Sequence, residues 1–214
     1  MLNEYPNIFK GERLVEVCFV VETMERFSAE NPNGFSVLDV GGVPSEYFQN
    51  YPIYKALEDM RVNYKISDFR GGRHQDNAGV QMQLPVAYQG DFVSLNISEK
   101  FDVIIFLSSL EHFPQCTESD KIFREGEDRK GFEKALSLLN PGGNIVLTVP
   151  FGYPKFENYQ QNYDIELIYK LTEGTKILEQ HIYGLVDNVW TKDTAENLGT
   201  LDPYGVGCFL LGKK

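Results

Sequence analysis

The sequence predicts an α/β fold, a doubly wound and mostly parallel sheet with an antiparallel strand pair at its C-terminal edge. Short, nearly all-apolar segments such as 101–107 are typical of strands buried on both faces, as in a parallel sheet. They alternate with segments of helical period such as 128–139. Two further strands, 176–183 and 205–211, follow the last helix and cannot both continue this alternation. An antiparallel pair at the sheet edge is therefore expected.

The individual elements follow from periodicity and turn residues. Residues 11–30 are predicted to form an N-terminal helix, whose apolar face comprises Leu14, Val17, Cys18, Val21, Met24 and Phe27. Strands are expected at 36–40, 62–67, 85–89, 101–107 and 144–149, and helices at 52–59, 128–139 and 164–172. Polar and glycine-rich composition predicts loops at 69–80 and 113–126. No linker divides the chain, so residues 1–214 are expected to form a single domain.

Composition narrows the functional classes. The chain has 214 residues, of which 42% are hydrophobic, enough for a full core. Its net charge of −11 argues against nucleic acid and against an anionic membrane surface as partners, since both need clustered Lys and Arg. A small-molecule substrate is expected instead.

Targeting and redox signals favour the cytoplasm. The three cysteines are isolated and odd in number, which fits a reducing compartment, and the scattered histidines predict no metal site. The start of the chain lacks a basic region followed by an apolar one. The most apolar stretch, 15–21, is too short to span a bilayer and contains Glu16. A cytoplasmic protein is the expectation.

The segment 37–45 is the most informative in the chain. A buried strand ends in Asp39 and Val40, the pair Gly41 and Gly42 follows, and Ser45 is placed to cap a helix. Glycines permit a sharp turn and close approach of a ligand to the backbone, while a helix N-terminus favours negative groups. Strand, turn and helix together are typical of a nucleotide-type site. Many buried strands also end in such turns for structural reasons alone, so both interpretations stand.

Five motifs in order resemble those of the class I S-adenosylmethionine-dependent methyltransferases of small-molecule type. They are the strand and turn around Asp39, Gly41 and Gly42, Asp68 after the second strand, Gly90-Asp91, Phe101 to His112 with Leu110-Glu111-His112, and Asn140-Pro141-Gly142-Gly143. The resemblance implies S-adenosylmethionine as cofactor and methyl transfer as activity. It also implies that Asp68 binds the ribose hydroxyls, that Asp91 contacts the adenine, and that Asp39, Gly41, Gly42 and Ser108 belong to the cofactor site.

One departure concerns the glycine turn. Val43 and Ser45 occupy the second and third glycine positions of the usual motif, which leaves room for altered cofactor binding. An NAD site is disfavoured, because it needs the second glycine for its pyrophosphate. A non-catalytic S-adenosylmethionine-binding or regulatory protein on the same fold is the alternative, and another nucleotide-binding enzyme on a similar sheet is a third.

The candidates for acid–base chemistry are few. His112, after the fourth strand of the motif order, is either a base for an acceptor hydroxyl or a passive wall of the pocket, and Tyr153 is a second candidate. Glu111 is expected to bond backbone or face solvent. The Asn-Pro-Pro-Tyr motif of the methyltransferases that modify nucleic-acid bases or glutamine side chains does not follow that strand. A small-molecule acceptor is therefore favoured. Residues 149–152 and Trp190 are loosely similar to methyltransferases of glycan biosynthesis, which suggests a sugar hydroxyl as acceptor.

Overall fold

The computed structural model describes residues 11–42, 56–57, 60–69, 73–75, 81–83, 86–114, 122–187, 189–193 and 205–214. The helices are α1 (Arg13–Glu30), α2 (Glu127–Leu138) and α3 (Ile165–Leu171), with a 3-10 helix at Leu110–His112. The strands are β1 (Ser36–Val40), β2 (Asn63–Asp68), β3 (Arg73–Gln75), β4 (Gln81–Gln83), β5 (Val86–Gln89), β6 (Phe101–Leu107), β7 (Leu139–Phe151), β8 (Phe156–Glu157), β9 (Gln160–Gln161), β10 (Thr175–Val186), β11 (Val189–Asp193) and β12 (Gly205–Lys213).

Eight strands form the main sheet in the order β11-β10-β12-β7-β6-β1-β2-β5. The five strands from β7 to β5 run parallel, whereas β12 pairs antiparallel with both β7 and β10. The predicted mostly parallel sheet with an antiparallel pair at its C-terminal edge is therefore confirmed. Beyond the prediction, β11 extends that edge by folding back on β10.

The sheet is covered on both faces, as doubly wound folds require. Alternate residues of the central strands point to opposite faces. Val37, Val103 and Ile105 belong to one buried cluster, together with Val17, Val20 and Met24 of α1. Leu38, Ile104 and Phe106 belong to the other, together with Phe132 of α2 and Ile168 of α3. One face therefore packs against α1 and the other against α2 and α3.

Several predicted details need correction. The loop expected at 69–80 contains β3, which pairs with β4, and the polar segment around Trp190 contains β11. Trp190 packs against the α1-side cluster. The buried face of α1 is also phased differently, because Leu14 is exposed whereas Phe19, Val20 and Thr23 are buried. The predicted helix at 52–59 lies outside the described residues except for the helical pair 56–57, and so does the helix start at 43–45.

Strand β7 begins earlier than the predicted residue 144. The chain passes directly from α2 into the strand at Leu139, which pairs with Phe101, and the register then shifts so that Val103 pairs with Asn144. This irregularity accommodates the turn residues 140–143 within the strand, where Asn140 donates a hydrogen bond of 2.7 Å to Asp102.

Among the helices of the described residues, none has both the length and the apolarity to cross a membrane.

Helix α2 provides a stability test at Gly131. Gly to Ala within a helix usually stabilises it by about 1 kcal/mol, but a Cβ at Gly131 would lie 2.3 Å from the ring of Phe113. We expect Gly131→Ala to destabilise the protein by about 1–3 kcal/mol through overpacking, measured by urea unfolding. In a Phe113→Ala background the same change should be neutral or stabilising. A destabilisation of equal size in both backgrounds would exclude the ring contact as its cause.

Candidate functional site

The strand order reverses between β1 and β6, and this switch point locates the candidate site. From β1 the chain continues through β2 to β5 on one side, then crosses to β6 and β7 on the other. In open α/β sheets, ligands bind in the crevice outside the carboxyl ends of the strands at such a reversal. Residues 39–42 lie at the end of β1 and residues 108–112 at the end of β6. The motifs singled out in the sequence therefore meet at one place.

Gly41 is fixed in its turn by the protein itself. Its φ is +79°, its N–H donates to the Ser67 carbonyl at 2.7 Å, and a Cβ would lie 2.6 Å from the Ser109 Cβ. A side chain is thus excluded by Ser109 as well as by backbone conformation. This steric requirement is independent of any ligand, and a cofactor contact at Gly41 stays a prediction.

Asp39 is buried beneath Gly42. A Cβ at Gly42 would lie 2.5 Å from Asp39 Oδ2, which accepts a hydrogen bond of 2.5 Å from the Tyr64 hydroxyl. Within the described part of the chain, Asp39 Oδ1 has no partner. Burial raises the pKa of Asp39 to about 6; the Tyr64 hydrogen bond opposes this and the charge of Asp68 adds to it. Asp39 is therefore a carboxyl group in an environment that disfavours its charge.

Asp68 ends β2 next to this group and is buried. Its carbonyl accepts a hydrogen bond of 3.0 Å from the Gly90 N–H, so the ends of β2 and β5 are joined there. Asp91, which follows Gly90 in the chain, is exposed. Its Oδ1 accepts from the Val93 N–H at 3.1 Å and its Oδ2 from the Ser94 hydroxyl at 2.7 Å. Asp91 thus caps its own turn, and its adenine contact stays a prediction.

Ser108 connects the end of β6 to helix α1. It has a φ of +40°, which is uncommon for a residue with a side chain, and its N–H donates to the Thr148 hydroxyl at 3.0 Å. The Ser108 hydroxyl donates to the carboxylate of Glu16, which is buried and also binds Arg13 at 2.8 Å. The first turn of α1 is thereby attached to the switch point.

Glu111, expected from the sequence to bond backbone or face solvent, is buried at the same end of β6 and does not face solvent. Its Oε2 has no hydrogen-bond partner among the described residues. Burial raises the pKa of Glu111 to about 8. A hydrogen bond with its own backbone, as the sequence led us to expect, opposes this effect, as does Arg13, whereas the negative charge of Glu16 adds to it. The two acids and one guanidinium form a largely buried cluster of ionisable groups that α1 and the 3-10 helix share.

His112 lies beside this group and is half-buried. Its Nδ1 is 2.9 Å from the Tyr159 carbonyl oxygen, and its ring stacks on that of Tyr159 at a centroid distance of 5.5 Å. Because a carbonyl only accepts, the neutral ring carries its proton on Nδ1. Tyr153, the other predicted base, follows β7 and is 59% exposed.

Sequence reasoning missed four residues of this site: Arg13, Glu16, Tyr64 and Glu111. Glu16 had a usable signal, since it is an acid inside the most apolar stretch of the chain. A buried carboxylate needs partners. One of them, Arg13, lies three positions away on the same helix, but the other, Ser108, lies 92 positions away, so sequence alone could not identify it.

Comparisons with known proteins agree with this fold. No family model matches the chain, and no curated protein matches it in sequence. An S-adenosylmethionine-dependent methyltransferase from Clostridium acetobutylicum has a TM-score of 0.55, covering 91% of each chain at 15% identity. N-methyltransferase NodS from Bradyrhizobium japonicum, in complex with S-adenosyl-L-homocysteine, has a TM-score of 0.56, covering 96% of this chain and 90% of its own at 11% identity. A 1,6-didemethyltoxoflavin N1-methyltransferase from Burkholderia thailandensis has a TM-score of 0.52, covering 91% and 78% at 9% identity. The chain thus has the Rossmann-like fold of these methyltransferases.

Tyr64 provides a test of the electrostatics at Asp39. Tyr64→Phe removes the hydroxyl that donates to the buried carboxylate, which should raise the pKa of Asp39 further. The hydrogen bond is strongest to the ionised acid, so destabilisation should reach about 1.5–3 kcal/mol at pH 8 and be smaller at pH 5. Urea unfolding at the two pH values measures it. Tyr169→Phe, at an exposed tyrosine, is the control and should change neither value; a Tyr64→Phe effect independent of pH would contradict the expectation.

Proposed function

We propose that this chain transfers the methyl group of S-adenosylmethionine to a small-molecule acceptor. The observation that carries the proposal is the meeting of Asp39, Gly41 and Asp68 at the carboxyl ends of β1 and β2, beside the switch point. This is where the fold places its ligands. The likeness to methyltransferase structures of 9–15% identity supports the same conclusion at the level of the fold.

The residues at the switch point fit this cofactor chemically. Within the described ranges, Asp39 Oδ1 and Ser67 Oγ are buried polar atoms without a partner, at the ends of β1 and β2. Such atoms are costly unless a donor satisfies them. We assign the ribose hydroxyls to Asp68, whose carboxylate can accept two charge-assisted hydrogen bonds. We assign the adenine to Asp91, which can accept further hydrogen bonds beside its turn.

The remaining contacts of the proposed cofactor site come from the two strand ends. We assign the Gly41 carbonyl, the Gly42 peptide and Ser108 at the end of β6 to the amino acid end of the molecule, and Asp39 lies beneath Gly42. When bound, S-adenosylmethionine supplies a methyl group activated by a sulfonium. The chain then has to hold the acceptor in line, and orientation of this kind can contribute roughly 7–11 kcal/mol.

A hydroxyl acceptor also needs a base, and we assign that role to His112. The Tyr159 carbonyl holds the Nδ1 proton, so Nε2 is the nitrogen that takes a proton from the acceptor. Stacking on Tyr159 fixes the plane of the ring. Tyr153, exposed after β7, is the second candidate.

We propose a sugar hydroxyl as the acceptor group, as the sequence hints around residues 149–152 suggest. We further propose that residues 1–214 act as one domain in the cytoplasm, without nucleic acid or membrane partners, in keeping with the net charge of −11. Incubation of metabolite extracts with methyl-labelled cofactor, followed by mass identification of the labelled product, tests the reaction and identifies the acceptor.

The alternative function is a non-catalytic protein that binds S-adenosylmethionine on the same fold. Two observations favour it: the Ser108 hydroxyl is already engaged by Glu16, and the Asp91 carboxylate by its own turn. Cofactor binding without any labelled product in the extract screen would support this alternative. Labelled product would exclude it.

Asp68→Asn tests the cofactor site. The change keeps the shape of the side chain but removes the charge that strengthens hydrogen bonds to the ribose. We expect the binding free energy of S-adenosylhomocysteine to fall by about 1.5–3 kcal/mol, measured by calorimetry. Asp187→Asn, an exposed acid in the turn between β10 and β11, makes the same charge change and should leave affinity unaltered. Equal affinities in both variants would remove Asp68 from the site.

His112→Ala tests the proposed base. The turnover rate with the identified acceptor should fall by about 10²–10⁴-fold, while the affinity for S-adenosylhomocysteine hardly changes. His181→Ala, on β10, is the control and should retain turnover. Loss of cofactor affinity on removal of His112 would make it a wall of the pocket, and full turnover would direct the search to Tyr153.

A further inference from the structure

Glu111 and His112 are adjacent in sequence, yet their side chains have contrasting environments. Glu111 is buried, whereas 34% of the His112 side chain is exposed. The two still meet, because Glu111 Oε1 lies 3.8 Å from His112 Nε2. The carboxyl group therefore contacts the nitrogen that takes the proton in the tautomer set by Tyr159.

The ionisable groups around Glu111 come from two elements other than its own 3-10 helix. Arg13, Glu12 and Glu16 face it from the start of α1, and the Tyr163 phenol interacts with it from the segment after β7. Arg13 is the only cation in this set and is bound by Glu16 at 2.8 Å. An additional positive charge next to Glu111 would therefore be favourable. A protonated His112 supplies that charge at 3.8 Å.

We propose that Glu111 is a positioning residue that acts through His112: in its ionised form, its carboxylate stabilises the imidazolium that forms when Nε2 takes the proton of the acceptor. The inference rests on the proposed function. In this step the acceptor O–H bond breaks, the N–H bond at Nε2 forms, and the electron pair remains on the acceptor oxygen. The positive charge then lies between the Tyr159 carbonyl, which is hydrogen-bonded to Nδ1, and the Glu111 carboxylate, 3.8 Å from Nε2.

The pair makes a distinct prediction for titration. Interacting acids and bases lose their protons in steps that belong to the pair. Burial raises the pKa of Glu111 to about 8, so ionisation of Glu111 overlaps with that of His112. With Glu111 present, His112 should titrate broadly, holding its proton toward pH 8. With Gln at this position it should titrate in one step near the ordinary pKa of about 6.5.

Nuclear magnetic resonance of the histidine-labelled 214-residue chain measures this directly. The chain has only three histidines, and loss of one signal in His112→Gln assigns the resonance. We expect Glu111→Gln to lower the His112 midpoint by at least about half a pH unit. Glu179→Gln is the matched control, since Glu179 Oε1 contacts His181 Nε2 at 2.6 Å. It should leave the titration of His112 unchanged.

Two outcomes would overturn the proposal. One is an identical His112 midpoint in native protein and folded Glu111→Gln. The other, which needs no variant, is a single narrow native step at about 6.5.

The test of the Glu111–His112 interaction can fail or succeed independently of the test of the proposed function. The titration needs neither cofactor nor acceptor, whereas failure of the native protein to bind S-adenosylmethionine or S-adenosylhomocysteine would refute the function alone. Glu111→Gln should bind S-adenosylhomocysteine with native affinity. With the identified acceptor, the turnover rate of Glu111→Gln should fall by a smaller factor than that of His112→Ala, for which we expect a loss of about 10²–10⁴-fold.

Discussion

The close approach of the ends of β1 and β6 determines how the candidate site is built. Ser109 donates a hydrogen bond of 2.6 Å to the Val40 carbonyl, and its Cβ occupies the space that a side chain at position 41 would need. The Gly41 N–H in turn binds the Ser67 carbonyl at 2.7 Å, which ties β2 into the same junction. Three strand ends are therefore locked together before any ligand is considered. Residues that the sequence scatters over 70 positions, from Asp39 to Ser108, consequently lie around one crevice.

Helix α1 adds a second constraint at the same junction. Glu16 accepts a hydrogen bond from the Ser108 hydroxyl and forms an ion pair with Arg13. The helix is therefore attached to the end of β6 by a hydrogen bond to a carboxylate as well as by its apolar face. Ser108 stands at a φ of +40°, a conformation that costs energy unless its surroundings enforce it. Its contacts with Thr148 and Glu16 supply that enforcement. A strained residue held by two neighbouring elements is a common feature of binding sites.

The sheet was predictable from sequence because its signals are local. The boundaries of β6 follow from its all-apolar run, and those of β1 from the glycine turn that ends it. Because two strands follow α3 without a helix between them, an antiparallel edge was the natural prediction. The short hairpin strands β3 and β11 were missed because their polar sequences carry no clear period. The burial of Glu111 was missed for a different reason. It depends on α1 covering the end of β6, a tertiary contact that no local pattern encodes.

The electrostatics of the junction link the fold to the proposed activity. Asp39 and Glu111 have pKa values of about 6 and about 8, both raised mainly by burial, against about 4 in an unfolded chain. For an acid whose pKa is raised on folding, stability is fully present at low pH and falls as the pH rises through the unfolded and then the folded value. Burial of Asp39 therefore costs stability increasingly between about pH 4 and pH 6, and burial of Glu111 between about pH 4 and pH 8, and both costs remain at higher pH. A ligand that offers a donor to Asp39, or a protonated His112 that offers positive charge to Glu111, offsets this cost, so the unfavourable burial of Asp39 itself favours binding.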